Sequence, residues 1–356
     1  MKIAFLNIYK GLIFRGAERS IDELAARLSK NHKVVVFQGY ADHSAYATIV
    51  VHCGRSFLTN NYARSFFHKL FIHPEDLRIL WFTLRVFLRL FQEKYDVIIP
   101  TNGGWQVLLC RIIMLITSKK MIITGRAGPG WDDQWNLLMQ PDIFIALSPA
   151  NLTWAKNISP KIRIECIPNG VDLKLFSTTG KKAELFLEKP IIICVGALVP
   201  EKRHELVIQA VARIEDVSLL LVGQANSEYA KKIIAMGKVL LGKRFEHKVA
   251  AFDEMPALYR SANVFTLASS ASEAFGNVYV EAMACGLPVV APNDETRKFI
   301  VGNAGFFVDP ENVAEYAQAL QTASTTQFGD KPIRQAASFD YEEIVRRYEA
   351  LFFSLR

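Results

Sequence analysis

The stretch Ser269–Pro292, SSASEAFGNVYVEAMACGLPVVAP, decides the fold because its residue pattern changes twice over a short span. It reads as the end of a strand, a polar loop, a short helix that stops at Gly286, and the apolar run of a new strand. Glu273 falls in the loop, and Glu281 falls on the helix, one turn beyond Asn277 and on the same face. The helix start at Phe275, Gly276, Asn277 and Val278 presents backbone N–H groups without intrahelical acceptors, at the positive end of a dipole. Such a start suits a phosphate or a developing anion, and Gly276 has no side chain to bar a close approach.

Outward from this segment, β-rich runs alternate with helical patterns to both ends of the chain. Strands are expected at Lys2–Ile8, His32–Gln38, Thr48–Cys53, Asp96–Thr101, Lys120–Gly125, Ile143–Ser148 and Arg163–Asn169. After Gly170 the rhythm restarts with Pro190–Leu198, Ser218–Gln224, His247–Phe252, Asn263–Ser269, Leu287–Pro292 and Ala304–Asp309. These runs are mostly continuous and apolar, as in parallel strands covered on both faces, so the fold class is α/β with two doubly wound, Rossmann-like domains. The domains are expected at 1–172 and 173–338, with the turn-rich stretch Ser177–Lys189 at their junction. A helical pattern over Tyr341–Phe353 places a helix in 339–356, expected to return to the first domain. In such folds ligands sit beyond the carboxyl ends of the strands, and two facing domains create a cleft.

Composition narrows the function classes. With 356 residues, 51% hydrophobic and 11% aromatic, the chain can bury large cores and is not a disordered scaffold. Its five cysteines form no CxxC pair and are odd in number, which argues against a disulfide framework or zinc knuckle and points to a reducing cytosol. The N-terminal MKIAFLNIYKG reads as a first strand rather than a signal peptide. The most apolar stretch, Val107–Thr117, is broken by Arg111 and falls short of the roughly 18 to 20 residues that cross a bilayer. No GxGxxG follows a strand, no GxxxxGK[ST] occurs and no HExxH or close histidine cluster is present, which disfavours a dinucleotide oxidoreductase, a P-loop NTPase and a zinc enzyme. The net charge of +7 is uneven: residues 1–172 carry 21 Lys and Arg against 13 Asp and Glu, and the remainder carries 21 against 22. The basic half reads either as a surface facing an anionic partner or as a solvated face.

The Ser269–Pro292 segment resembles the E-x7-E signature of glycosyltransferase family 4, the retaining nucleotide-sugar-dependent enzymes of the GT-B fold. Further blocks similar to that family are RGAERSIDELAARLSKNHKVVVF near the start, IPNGVD at 167–172, VGALVPEKRHELVIQAVA at 195–212, MPALYRSANVFTLAS at 255–269 and GFFVDPENVAEYAQAL at 305–320. The resemblance implies that Glu273 contacts the donor sugar, that Glu281 binds the ribose hydroxyls, and that the backbone from Phe275 through Gly276 and Asn277 to Val278 holds sugar and diphosphate. It places Lys202 against the diphosphate. The arginine that often accompanies this lysine is Ala197 here, and the adjacent Arg203 is the candidate to supply the missing charge. Gly16 resembles the glycine of the loop that approaches the diphosphate, with Arg15 where relatives carry a first glycine.

After the strand ending at Thr124, relatives often carry a histidine that touches the donor sugar, whereas this chain has Arg126, the candidate for that role. In the same loop Trp131, Asp132, Asp133 and Trp135 shape an acceptor pocket on one reading and are packed structural residues on the other. The segment Arg55–Lys94 holds seven Lys and Arg against three Asp and Glu, interleaved with aromatics from Phe57 and Tyr62 to Trp81 and Phe91. It reads as a membrane-interface stretch or as helices packed on the first sheet. The Asp-x-Asp pattern of the other large glycosyltransferase fold is absent from the sequence, so no metal and no cofactor beyond the donor are expected.

The resemblance therefore implies a metal-independent, retaining hexosyltransferase taking a UDP- or GDP-sugar. Its acceptor is expected to be a glycan or a lipid-linked precursor in envelope polysaccharide or glycolipid synthesis, with no nucleic-acid partner. The expected location is the cytoplasm, with attachment to the inner face of the membrane on the interfacial reading of the basic half. Two alternatives stay open: a catalytically silent sugar-nucleotide or glycan-binding protein, and a nucleotide-sugar epimerase of the same architecture.

Overall fold

The structure is a computed structural model, and it describes residues 1–12, 16–41, 44–54, 56, 66–271 and 273–355. Arg15, and Arg55, Phe57 and Tyr62 of the aromatic, basic stretch, lie outside the described residues. Two compact units form, one from Met1–Asn169 together with Tyr341–Arg356, the other from Gly170–Asp340.

The first unit is built on β1 (Lys2–Asn7), β2 (Lys33–Gln38), β3 (Ala47–Val50), β4 (Val97–Pro100), β5 (Lys120–Thr124), β6 (Ile143–Ala146) and β7 (Arg163–Cys166). All pair in parallel in the order β3-β2-β1-β4-β5-β6-β7. Successive side chains along a strand point to opposite faces, so each apolar run feeds two cores. Ile3, Phe5, Val34, Val36, Val97 and Ile99 pack against Ile21, Leu24 and Leu28 of the helix Gly16–Leu28. Ala4, Leu6, Val35, Phe37 and Ile98 pack on the other face, against Ile79, Phe82, Val86 and Leu90 of the helix Pro74–Gln92.

The helix Tyr341–Phe353 does return to this unit, at the bounds its sequence pattern sets. Ile344, Val345, Tyr348, Leu351 and Phe352 join the core that holds Phe5 and Ile145, and the Tyr348 hydroxyl lies 3.2 Å from Thr124 Oγ1.

The second unit carries β8 (Ile191–Val195), β9 (Ser218–Val222), β10 (Phe245–Lys248), β11 (Val264–Thr266), β12 (Val289–Pro292) and β13 (Gly305–Val308). They pair in parallel in the order β10-β9-β8-β11-β12-β13. One strand is displaced from its expected place: His247–Phe252 is extended only through Lys248, and the strand begins at Phe245. The Phe245 ring fills the space over Gly237, where an added Cβ would come within 2.4 Å of it, and this packing fixes the start of an outer strand that pairs with β9 alone.

Strand order reverses between β1 and β4 in the first sheet and between β8 and β11 in the second. At such a switch the loops leaving neighbouring strands diverge to opposite faces and open a crevice at the carboxyl edge, the ligand position in open α/β sheets.

Candidate functional site

In the second unit the switch point gathers two loops, one after β8 running to Arg203 and one after β11 running to Gly276. The two are stitched together. Ser270 N–H donates to Glu201 O at 2.9 Å, and the Arg203 guanidinium donates to Ala268 O at 2.7 Å and Ser269 O at 3.3 Å. The Lys202 ammonium pairs with the Glu273 carboxylate, both side chains about one-fifth exposed, so sequence-distant residues with expected roles meet at the mouth of the crevice.

Arg203 sits in left-handed backbone at φ +50 and leads into the helix His204–Ala212. That turn carries its side chain to the loop carbonyls and, at 3.1 Å, to Glu311, so its charge serves the loop rather than standing beside Lys202. His204 next to it is fully buried, and neither ring nitrogen is hydrogen-bonded. Burial, then the charge of Lys202, push its pKa down to about 3, so the imidazole is neutral. It sits below Gly196: a Cβ added there would lie 3.8 Å from His204 Nε2 and 3.9 Å from Lys202 Cδ.

The helix Asn277–Ala284 starts as the sequence suggests. Gly276, its N-cap, is left-handed at φ +91 and provides no side-chain acceptor, so the first-turn dipole is not satisfied by the cap itself. An added Cβ would stand 2.8 Å from the Tyr279 ring, so both conformation and space demand glycine. The Phe275 side chain is buried edge-to-face against Phe339 at 5.7 Å, so only its backbone can serve the site. Glu281 accepts a 3.0 Å hydrogen bond from the hydroxyl of fully buried Tyr259. Burial and the Glu281 charge hold that phenol well above its ordinary pKa, so it remains a donor that orients the carboxylate.

Sequence reasoning missed Arg297. Its side chain is fully buried beneath the loop and donates to Ser270 O at 2.7 Å, Ser269 Oγ at 2.9 Å, Asp294 Oδ1 at 3.3 Å and Glu273 O at 3.4 Å. A signal was present, because Arg297 shares a helix face with buried Ile300 and Val301 by i, i+3 and i, i+4 spacing. An arginine on an apolar face must find acceptors inside.

The first unit holds the other two candidates. Gly16 is exposed at the start of the helix Gly16–Leu28. Arg126 follows β5, partly buried, with one buried guanidinium nitrogen lacking a hydrogen-bond partner. Its charge lowers the pKa of the Tyr341 and Tyr348 phenols, although their burial, the larger effect, raises it.

The loop after Arg126 contributes to a packed cluster. The Trp135 and Trp131 rings lie 4.7 and 6.1 Å from that of Phe71, and Trp135 Nε1 donates to Gly104 O at 3.1 Å. Asp133 is buried and accepts from Gly128 N–H at 2.9 Å and Asn136 Nδ2 at 3.0 Å; burial raises its pKa to about 7. Asp132 lies 2.9 Å from His68 Nε2, with Asp76 2.9 Å from Nδ1. Burial opposes charge on His68, but hydrogen bonds to Asp132 and Asp76 outweigh it and raise the pKa to about 9. Among the described residues, no group of three or more His, Cys, Asp or Glu converges as a metal site.

Two Rossmann-like units with charged loops at a sheet switch point define the GT-B class of protein. Residues 14–175 match the family described as Glycosyltransferase Family 4 and residues 177–338 the one described as Glycosyl transferases group 1, and the chain belongs to glycosyltransferase family 4. It is 30% identical over 203 residues to the N-acetylgalactosamine-N,N'-diacetylbacillosaminyl-diphospho-undecaprenol 4-alpha-N-acetylgalactosaminyltransferase of Campylobacter jejuni, covering 53% of each chain. It is 30% identical over 206 residues to the GDP-mannose-dependent alpha-(1-6)-phosphatidylinositol monomannoside mannosyltransferase of Mycolicibacterium smegmatis, covering 52% of each. The chain thus spans about half the length of the curated relatives it matches. Its fold is similar to that of sucrose-phosphate synthase from Thermosynechococcus elongatus, with TM-score 0.80 and 22% identity over 99% of this chain and 98% of that one. The Anabaena protein HepE in complex with UDP and glucose gives TM-score 0.75 and 22% identity over 99% of this chain and all of that one.

Proposed function

We propose that this protein is a retaining glycosyltransferase that moves a hexose from a nucleoside-diphosphate sugar to a glycan or lipid-linked acceptor. The observation that carries this reading is the pairing of Lys202 with Glu273 beside the side-chain-free helix start at Gly276, at the switch point of the second sheet. A cation and a helix N-terminus favour a leaving diphosphate, and the neighbouring carboxylate favours the positive charge that develops on the sugar. Tyr259 holds Glu281 for the ribose hydroxyls. Arg203 and Arg297 act through the loop they brace.

In the proposed reaction the bond from the anomeric carbon to the diphosphate oxygen breaks, and the acceptor oxygen bonds to that carbon from the same face. The acceptor proton passes to a phosphate oxygen, so no side-chain base takes part, and Lys202 with the helix start stabilises the leaving diphosphate in place of a metal ion. Arg126 is assigned to the donor sugar and Gly16 to the approach to the diphosphate. The relatives named for diphospho-undecaprenol and phosphatidylinositol substrates support a lipid-linked acceptor, and the mannosyltransferase supports GDP as one candidate nucleotide.

The test is a thermal-shift screen of the full chain against UDP-, GDP- and ADP-sugars, followed by an assay of nucleotide release with and without acceptor glycans. A ligand at 100 times its dissociation constant stabilises by about 2.7 kcal/mol. Acceptor-dependent release of the nucleotide supports transfer. Binding without turnover makes the chain a sugar-nucleotide-binding protein, and donor turnover that needs no acceptor makes it an epimerase or hydrolase.

A further inference from the structure

The helix Pro74–Gln92 has two apolar faces and the core uses one. Ile79, Phe82, Val86 and Leu90 are buried, while Leu77, Trp81, Leu84, Leu88 and Phe91 recur at steps of four and three residues along the opposite face and are exposed, Leu88 by 64%. The helix Gly104–Ile116 packs beside it and exposes Ile112, Leu115 and Ile116, Leu115 by 67%. Large apolar side chains exposed in a stripe along a helix mark an interaction site.

Its charge selects the partner. The only acids of the two helices are Glu75 and Asp76, and both are buried, Glu75 against Arg78 and Asp76 against His68. Arg85 and Arg89 are exposed on the helix that bears the stripe, with Arg85 4.9 Å from the Trp81 ring centroid, and Lys69 and Lys94 are exposed beyond its two ends, where the acid Glu93 is paired with Lys2. An indole with cations at its border is the composition of a helix lying in a membrane interface. A second copy of this chain would bring the same cations to the same face, whereas an anionic bilayer meets both the apolar stripe and its charge.

We infer that these two helices form a membrane-docking face that seats the stripe from Leu77 to Phe91 in the headgroup region of an anionic bilayer. No helix among the described residues is long and apolar enough to cross the membrane, so the attachment is peripheral. It does not depend on the transferase reading, because it needs neither donor nor acceptor.

Co-sedimentation of the full chain with vesicles of phosphatidylcholine, with and without phosphatidylglycerol, tests it. Recovery is expected with anionic vesicles at low salt and falls as salt rises, because each interfacial cation is worth about fivefold in partitioning. Leu84→Ser with Leu88→Ser is expected to lower partitioning at least about tenfold, and Arg85→Ala with Arg89→Ala at least about fivefold. These side chains are exposed, and an unchanged melting curve verifies the fold. Val239→Ser, at an exposed position of the second unit, leaves binding unchanged. Recovery that is equal on neutral and anionic vesicles, or unaffected by the leucine pair, overturns the inference. So does a concentration-dependent dimer, measured by light scattering, that the leucine pair abolishes.

Discussion

Arg297 supports the loop that carries Glu273 from below, and replacing it separates support from contact. Methionine keeps an unbranched chain of similar volume but removes every donor. Two of the four bonds are short, to Ser270 O at 2.7 Å and Ser269 Oγ at 2.9 Å, and the side chain is fully buried. Breaking a buried charged group's bonds costs about 3–5 kcal/mol when the partners stay buried. Asp294 is one-quarter exposed and regains water, and its contact is 3.3 Å, so the lower end applies, about 3 kcal/mol. At a urea dependence of about 2 kcal/mol per molar, the unfolding midpoint of Arg297→Met falls on the order of 1.5 M. The Glu273 carbonyl also loses its tether, so stabilisation by donor falls as well. Arg297→Lys keeps the charge without the planar fork and is expected between the two. Urea unfolding and donor-dependent melting decide it: a wild-type midpoint together with a wild-type donor shift in Arg297→Met would refute the reasoning.

Four further outcomes are expected. Glu281→Ala weakens donor binding with turnover largely kept, whereas Glu273→Ala mainly lowers turnover, because sugar contacts strengthen in the transition state and ribose contacts do not; wild-type kinetics in both would remove the assignment. Gly276→Ala meets the Tyr279 ring and a left-handed backbone that costs about 1–2 kcal/mol, so donor-induced stabilisation drops in a thermal-shift assay; an unchanged shift contradicts it. The raised pKa of His68, about 9, gives stability that is full below the ordinary value near 6.5 and lost as pH rises through 9, on the order of 3 kcal/mol. The stability gap between wild type and His68→Gln should therefore narrow between about pH 6 and pH 9.5, as read by urea unfolding, with the 6.5 to 9 window set by this linkage. Transfer is expected to survive EDTA, and loss restored by Mn²⁺ would overturn the metal-independent reading.

The sheets were legible in the sequence because parallel strands buried on both faces must be apolar throughout, and β8, with every residue buried, shows why. The glutamate segment was legible because loop, glycine and helix are contiguous in the chain. Contacts between distant segments were not. Arg203 read as a cation free for phosphate until its left-handed turn carried it to Ala268 O and Ser269 O, and the apolar helix face of Arg297 marks it as buried without saying which loop it braces. The aromatic stretch packs on the sheet only in part: Phe82 is core, while Trp81 and Phe91 face outward. Composition alone cannot assign alternate helix faces when both are apolar.

The first unit's core is completed by Tyr341–Phe353, which follow the entire second unit along the chain. At a synthesis rate of about 5–20 residues per second, the intervening Gly170–Asp340 take roughly ten to thirty seconds to emerge. For that interval the sheet face bearing Phe5 and Ile145 lacks its cover of Val345, Tyr348 and Phe352. The second unit is continuous in sequence and closes without waiting, so the half that is made first is finished last. A nascent chain stopped before Tyr341 would carry a folded second unit and an incompletely covered apolar face on the first, the kind of surface that chaperones and proteases engage.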